Sequence, residues 1–92
     1  MVKTWRDKEA AKILRRERST KYVAIQRTAR RRLQIIDKAT SLDDIARVPG
    51  NRLEHLKGDR KGQCSVRINR QFRACFVWKN GDAFDVEIVD YH

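Results

Sequence analysis

The sequence predicts an α+β fold, an antiparallel sheet of about four strands with two N-terminal helices packed on one face. Three observations carry that expectation. Near Pro49-Gly50 the chain changes from helical spacing of apolar residues to strand-like runs. The second half holds Asn80-Gly81 between two apolar runs, a strong hairpin signal. At 92 residues, 40 % of them hydrophobic, the chain can bury one core, so residues 1–92 are expected to form a single domain.

The elements follow in order. Val2-Lys3-Thr4-Trp5 alternates and suits a short strand. Asp7 opens a first helix, with acidic residues in its first turn and Arg15, Arg16 and Arg18 at its end, as the helix dipole favours. Ser19-Thr20 interrupts it. A second helix from about Tyr22 to Ala39 carries Val23, Ile25, Ala29, Leu33 and Ile36 as its apolar stripe and arginines on its other faces. Thr40 to Ile45 reads as a capped short helical turn. Strands are expected at Arg52–Leu56, Gln63–Ile68, Phe72–Trp78 and Ala83–Val89.

Register decides which side chains share a face. A two-residue Asn80-Gly81 turn sets the apolar faces of its two strands in conflict. A three-residue Lys79-Asn80-Gly81 loop instead pairs Phe76 with Phe84, Ala74 with Val86 and Phe72 with Ile88, and is the expected register. An Asn69-Arg70-Gln71 turn then sets Arg67 opposite Arg73. Cys64, Val66 and Ile68 join the apolar face. Ser65, Arg67, Arg73, Cys75, Asp85, Glu87 and Tyr91 share the other. Two opposed arginines repel; the pair is either harmless, solvated with Glu87 beside it, or held ready for a phosphate, the second being the favoured reading.

Lys and Arg number 22 against 12 Asp and Glu, a formal charge of +10. So strong a positive field on so small a body favours a polyanionic partner, nucleic acid or an acidic protein. No long apolar span is present, which excludes a membrane-spanning helix. The N-terminus lacks the apolar stretch of a secretory signal, so a cytoplasmic location is expected. Cys64 and Cys75 then read as buried thiols of a reducing compartment. A zinc site from Cys64, Cys75, His55 and His92 has no close ligand pair such as C-x-x-C, and neither metal nor cofactor is expected.

RNA can be cut without a cofactor because its 2′-hydroxyl is a built-in nucleophile. The protein must take that proton, stabilise the phosphorane and protonate the leaving oxygen. His55 and His92 are the two histidines. His92 is the last residue, and its own terminal carboxylate favours the protonated ring that a general acid needs. Tyr91 suits base stacking. Asp90 suits a base or a group that orients His92. Lys57 lies in a glycine-flanked basic loop, His55 to Gly62. A bland alternative stands beside each: a frayed terminus for His92, a core-covering aromatic for Tyr91, a solubilising charge for Asp90 and a basic hairpin for Lys57.

Leu53-Glu54-His55-Leu56-Lys57-Gly58, Gly62 to Asn69, Phe72-Arg73, Trp78, Asn80-Gly81-Asp82-Ala83 and the closing Val89-Asp90-Tyr91-His92 resemble the HigB branch of the RelE/ParE toxin superfamily. The resemblance departs at Cys64, Phe72 and Ala74, all on the expected core face. It implies a RelE-like fold and the toxin of a type II toxin–antitoxin module. Such a toxin is an endoribonuclease cleaving mRNA in the A site of the 70S ribosome, touching 16S rRNA through its basic surface. A HigA-type antitoxin neutralises it. By matching positions, Lys57, Arg67 and Arg73 bind the scissile phosphate, and His92 is the general acid or base. Asp90 and Tyr91 position substrate and proton transfer, and His55 is an accessory contact. Two alternatives remain open at this point: a ParE-like inhibitor of DNA gyrase, and a nucleic-acid-binding module without catalysis.

Overall fold

The computed structural model describes residues 1–91. Its elements are helices α1 (Lys8–Leu14), α2 (Gln26–Lys38) and α3 (Leu42–Ala46), followed by strands β1 (Glu54–His55), β2 (Gln63–Arg67), β3 (Phe72–Lys79) and β4 (Asp82–Asp90). The strands form one antiparallel sheet in the order β1-β2-β3-β4. The α+β class, the four strands and the helical layer are as the sequence predicts. Val2 and Trp5 form isolated parallel bridges to Ala83 and Val86, so the N-terminal segment lies along β4 without becoming a regular strand. Among the described residues no helix is long and apolar enough to cross a membrane.

Local chemistry explains where the helices begin and end. The Asp7 carboxylate accepts from Glu9 N and Ala10 N, satisfying two otherwise orphaned amides of α1. At the other end Arg16 takes a left-handed φ of 63°, and the Arg30 guanidinium on α2 donates to Ile13 O over 3.1 Å. The helix expected from Tyr22 starts as a single 3₁₀ turn, Val23–Ile25, because Tyr22 supplies no side-chain cap. Ser41 caps α3 through Asp44 N. The helices bury Ala10, Ile13, Ala29, Leu33, Ile36 and Ile45 against Cys64, Val66, Ala74, Phe76, Val86 and Ile88 of the sheet.

One interaction ties the helical layer to the sheet. The Tyr22 hydroxyl donates to Asp7 Oδ2 over 2.8 Å, and the same oxygen accepts from Ile88 N on β4. Burial, and then the hydrogen bond to Asp7, push the Tyr22 phenol well above its ordinary value near 10. The fold therefore favours the neutral phenol. That stabilisation is fully present below pH about 10 and is lost as pH climbs further, because the unfolded chain ionises first. Burial also raises both cysteine thiols, which adds a loss beginning at lower pH. Tyr22→Phe is expected to cost about 1 kcal/mol at neutral pH and to flatten the loss of stability above pH about 10. Urea midpoints from pH 7 to 11 on both proteins measure it. Parallel curves above pH 10 would contradict it.

The hairpin corrects the expected register. Asn80 and Gly81 have φ of 53° and 81°, and Lys79 pairs with Asp82, so the turn has two central residues. Val77 then pairs with Phe84 and Trp78 with Ala83, as such a turn requires. The conflict of faces is resolved further along by a β-bulge: Asp85 adopts φ 53°, and beyond it Cys75 pairs with Glu87 and Ala74 with Ile88. Thr4 Oγ1 accepts from Asp85 N over 2.8 Å and holds the bulge against the N-terminal segment. One extra residue restores the alternation. Beyond the bulge the apolar face is the one expected, with Val86 and Ile88 in the core; before it Ala83 takes the core position and Phe84, expected beside Phe76, pairs with Val77 on the other face.

Candidate active site

The opposite face of the sheet carries a cleft of about 310 Å³. Four arginines line it, Arg52, Arg67, Arg70 and Arg73, with Glu54, Asn69 and Tyr91. Arg67 and Arg73 sit directly opposite each other on β2 and β3, the pairing the sequence predicts. The turn between them is built by Asn69, whose Oδ1 accepts from Gln71 N and Phe72 N.

Arg73 is held from several sides. It is 8 % exposed. Its Nε donates to Ser65 Oγ over 2.7 Å, and one terminal nitrogen donates to Arg52 O over 2.6 Å. The other terminal nitrogen lies 3.7 Å from Glu54 Oε1, a long contact to a half-exposed carboxylate. Its guanidinium sits 5.8 Å from the Tyr91 ring centre, within cation–π range. Arg67 donates its Nε to Asn69 O over 3.2 Å. The arrangement gives the opposed charges fixed geometry. Arg73 is sunk into the sheet and Arg67 stands partly open beside it. A dianionic group entering the cleft meets cations that need little reorganisation.

Tyr91 lines this cleft and is 47 % exposed, so its ring is available for stacking. Tyr91 N donates to Gln71 O over 2.6 Å, which anchors the backbone just beyond β4. His92, the expected general acid or base, lies outside the described residues. Asp90 pairs with Phe72 and by strand alternation points to the helix side, where its Oδ2 accepts from Gln71 Nε2. It does not line the cleft. His55 pairs with Cys64, on the helix side of the sheet, and its Nδ1 lies 3.5 Å from the Cys64 thiol. Lys57 precedes the 3₁₀ turn Gly58–Arg60 and is exposed, also outside the cleft lining. The structure thus gathers Arg67, Arg73 and Tyr91, and leaves Lys57, His55 and Asp90 around them.

Cys75 pairs with Ser65 and faces the cleft side of the sheet, whereas Cys64 faces the helices. The two thiols therefore lie on opposite faces of the sheet, and among the described residues the zinc set of the sequence does not come together. Cys75 is fully buried near Glu87, its expected neighbour on this face, whose Oε2 lies 3.4 Å from both Arg6 and Arg60. Arg52, Arg70 and Asn69 are cleft residues that pattern reading misses. Arg52 has φ 46°, a conformation no alternation of polar and apolar residues announces.

Residues 4–92 match the family model described as RelE-like toxin of type II toxin-antitoxin system HigB. The chain belongs to the HigB-like toxin family. It is similar to Toxin HigB-1 of Vibrio cholerae serotype O1, 44 % identical over 62 residues, which is 67 % of this chain and 65 % of that protein. It is similar also to Endoribonuclease HigB of Proteus vulgaris, 41 % identical over 61 residues, 66 % of this chain and 65 % of that protein. The matched part spans 65 % of the length of either relative. As a HigB-like chain it carries the expected closing Asp90-Tyr91-His92 and both sheet arginines.

Proposed function

We propose that this chain is the toxin of a type II toxin–antitoxin module and acts in the cytoplasm as an endoribonuclease on mRNA in the ribosomal A site. A cognate HigA-type antitoxin restrains it. The observation that carries the reading is the cleft in which opposed Arg67 and Arg73 lie beside the exposed Tyr91 ring. Family membership and the printed name of the Proteus vulgaris relative support it.

The chemistry follows from the substrate. A general base removes the 2′-hydroxyl proton, and the 2′-oxygen attacks the adjacent phosphorus. The P–O5′ bond breaks, leaving a 2′,3′-cyclic phosphate and a free 5′-hydroxyl. Arg67 and Arg73 neutralise the charge that builds on the phosphorane oxygens. Tyr91 stacks on a base flanking the scissile bond. His92 exchanges the proton at one of the two oxygens. Lys57, His55 and Asp90 enter on the strength of the family resemblance, Lys57 as a further phosphate cation. The net charge of +10 suits contacts with the RNA backbone of the ribosome.

Sequencing of transcript 5′ ends after brief induction, beside the His92→Ala form, tests the reading. The expected result is new 5′-hydroxyl ends phased with the reading frame and lowered about 10²-fold or more in the variant. Intact transcripts together with inhibited supercoiling by gyrase would overturn it. Equal cleavage by His92→Ala would remove His92 from the chemistry.

A further inference from the structure

The segment between α3 and β1 grips both cleft arginines by its backbone. Asn51 O accepts from Arg67 N over 2.7 Å, and Arg52 O accepts from the Arg73 guanidinium over 2.6 Å. Two consecutive carbonyls therefore fix the strand that carries one cation and the side chain of the other. What fixes the carbonyls is Asn51, a fully buried polar residue outside the cleft lining.

Both ends of the Asn51 amide are used. Its Nδ2 donates to Ile45 O on α3 over 2.9 Å, and its Oδ1 accepts from an Arg32 terminal nitrogen over 2.6 Å. Arg32 comes from α2, across the helical layer. Its Nε is buried with no partner among the described residues, an unfavourable placement for a guanidinium. The loop also presses directly on it: a Cβ at Gly50 would stand 2.9 Å from an Arg32 terminal nitrogen. A helix cation kept in so poor a position suggests that its contact with Asn51 is worth more than the open alternatives.

We propose that Asn51, clamped by Arg32, is a positioning residue that sets Arg67 and Arg73 to receive a backbone phosphate. The proposal rests on the ribonuclease reading for its kinetic effect, and on geometry alone for its structural one. Asn51 touches no substrate. It acts through the Arg52 carbonyl, which selects the one Arg73 rotamer that also reaches Ser65. Without it the segment is free to shift. Arg73 then keeps its charge and loses its aim, and misplacement of a cation by about 1 Å costs as much as 10²-fold in rate.

The experiment compares Asn51→Ala, Arg32→Met and Arg32→Lys with the unsubstituted protein. A core variant far from the cleft, Ile13→Ala, serves as the stability control. Steady-state cleavage of an mRNA on programmed ribosomes gives kcat and KM. The Arg73 Nε–H signal in ¹⁵N spectra reports the guanidinium directly. Arg32 reaches Asn51 through a single donor, so Lys keeps the essential contact. The proposal expects Asn51→Ala and Arg32→Met to lose about tenfold or more in kcat per folded molecule, with a small change in KM. Their Arg73 signal should lose its protection from exchange. Arg32→Lys should recover most of the rate, and Ile13→Ala should keep it. Rates that track only the folded fraction, or an unchanged Arg73 signal in Arg32→Met, would overturn the proposal. Should Asn51→Ala not fold, the two Arg32 variants decide it. If the wild-type chain cuts no RNA, the ribonuclease reading fails, while the Arg73 signal still decides the positioning claim.

Discussion

Arg73→Ala is expected to lower RNA cleavage by about 10²–10³-fold, the scale of losing one preorganised donor to a developing oxyanion. The residue is the best fixed cation of the cleft. Ser65 Oγ, Arg52 O and the Tyr91 ring together leave it one orientation. Arg73→Lys should recover little, because an ammonium cannot bridge Ser65 and Arg52 while offering a fork to phosphate. Truncation also leaves the buried Ser65 hydroxyl without its donor, at about 1–3 kcal/mol of stability. A domain with the usual 5–15 kcal/mol absorbs that and stays folded, so a rate loss of this size reports chemistry. Single-turnover cleavage beside urea melts separates the two effects. A rate within threefold of wild type in Arg73→Ala would remove this arginine from the transition state.

How much of this was legible in the sequence depends on which physical rule sets each feature. The apolar face of β2, β3 and the far half of β4 is a period-two pattern that survives a mistaken turn, whereas between turn and bulge the mistake exchanges Phe84 for Ala83 in the core. Restoring parity takes an odd residue somewhere, and the chain inserts it at Asp85 rather than in the hairpin loop. Polarity alone cannot tell those solutions apart. The left-handed conformation of Asp85 depends on Thr4, some eighty positions away, and on no local signal. Arg67 opposite Arg73 was legible because it follows from a short local turn. The side of Asp90 was legible too, since it alternates with Ile88 and Tyr91, whereas that of His55 was not, because it stands in a two-residue strand with no run of alternation to place it. Asn51 was invisible for a related reason. A buried asparagine after Pro49-Gly50 reads as a loop residue, and its partner Arg32 reads as one more solvated charge on a basic helix.

The second large effect falls on stability. Phe76→Ala is expected to cost about 3–5 kcal/mol, the range for a large aromatic removed from a closed core. Phe76 is fully buried and meets Trp78 edge to face at 6.4 Å. It stands where the β3–β4 ladder changes register, opposite the bulge. Neighbours there are held by an irregular ladder fixed in turn by Thr4, so the site has little freedom to collapse into the void. For a domain of this size the loss lowers Tm by on the order of 20 °C. That brings the protein close to the limit of folding at physiological temperature. Phe76→Leu, which keeps most of the volume, should recover more than half of it. Activity per folded molecule is expected to hold in both variants at low temperature, since Phe76 faces the helices and the cleft lies on the other side of the sheet. Calorimetry and cleavage measured on the same samples check this. Loss of cleavage at full folding would mean that the core sets the cleft arginines directly, and the burden of positioning would pass from Asn51 to the packing of β3.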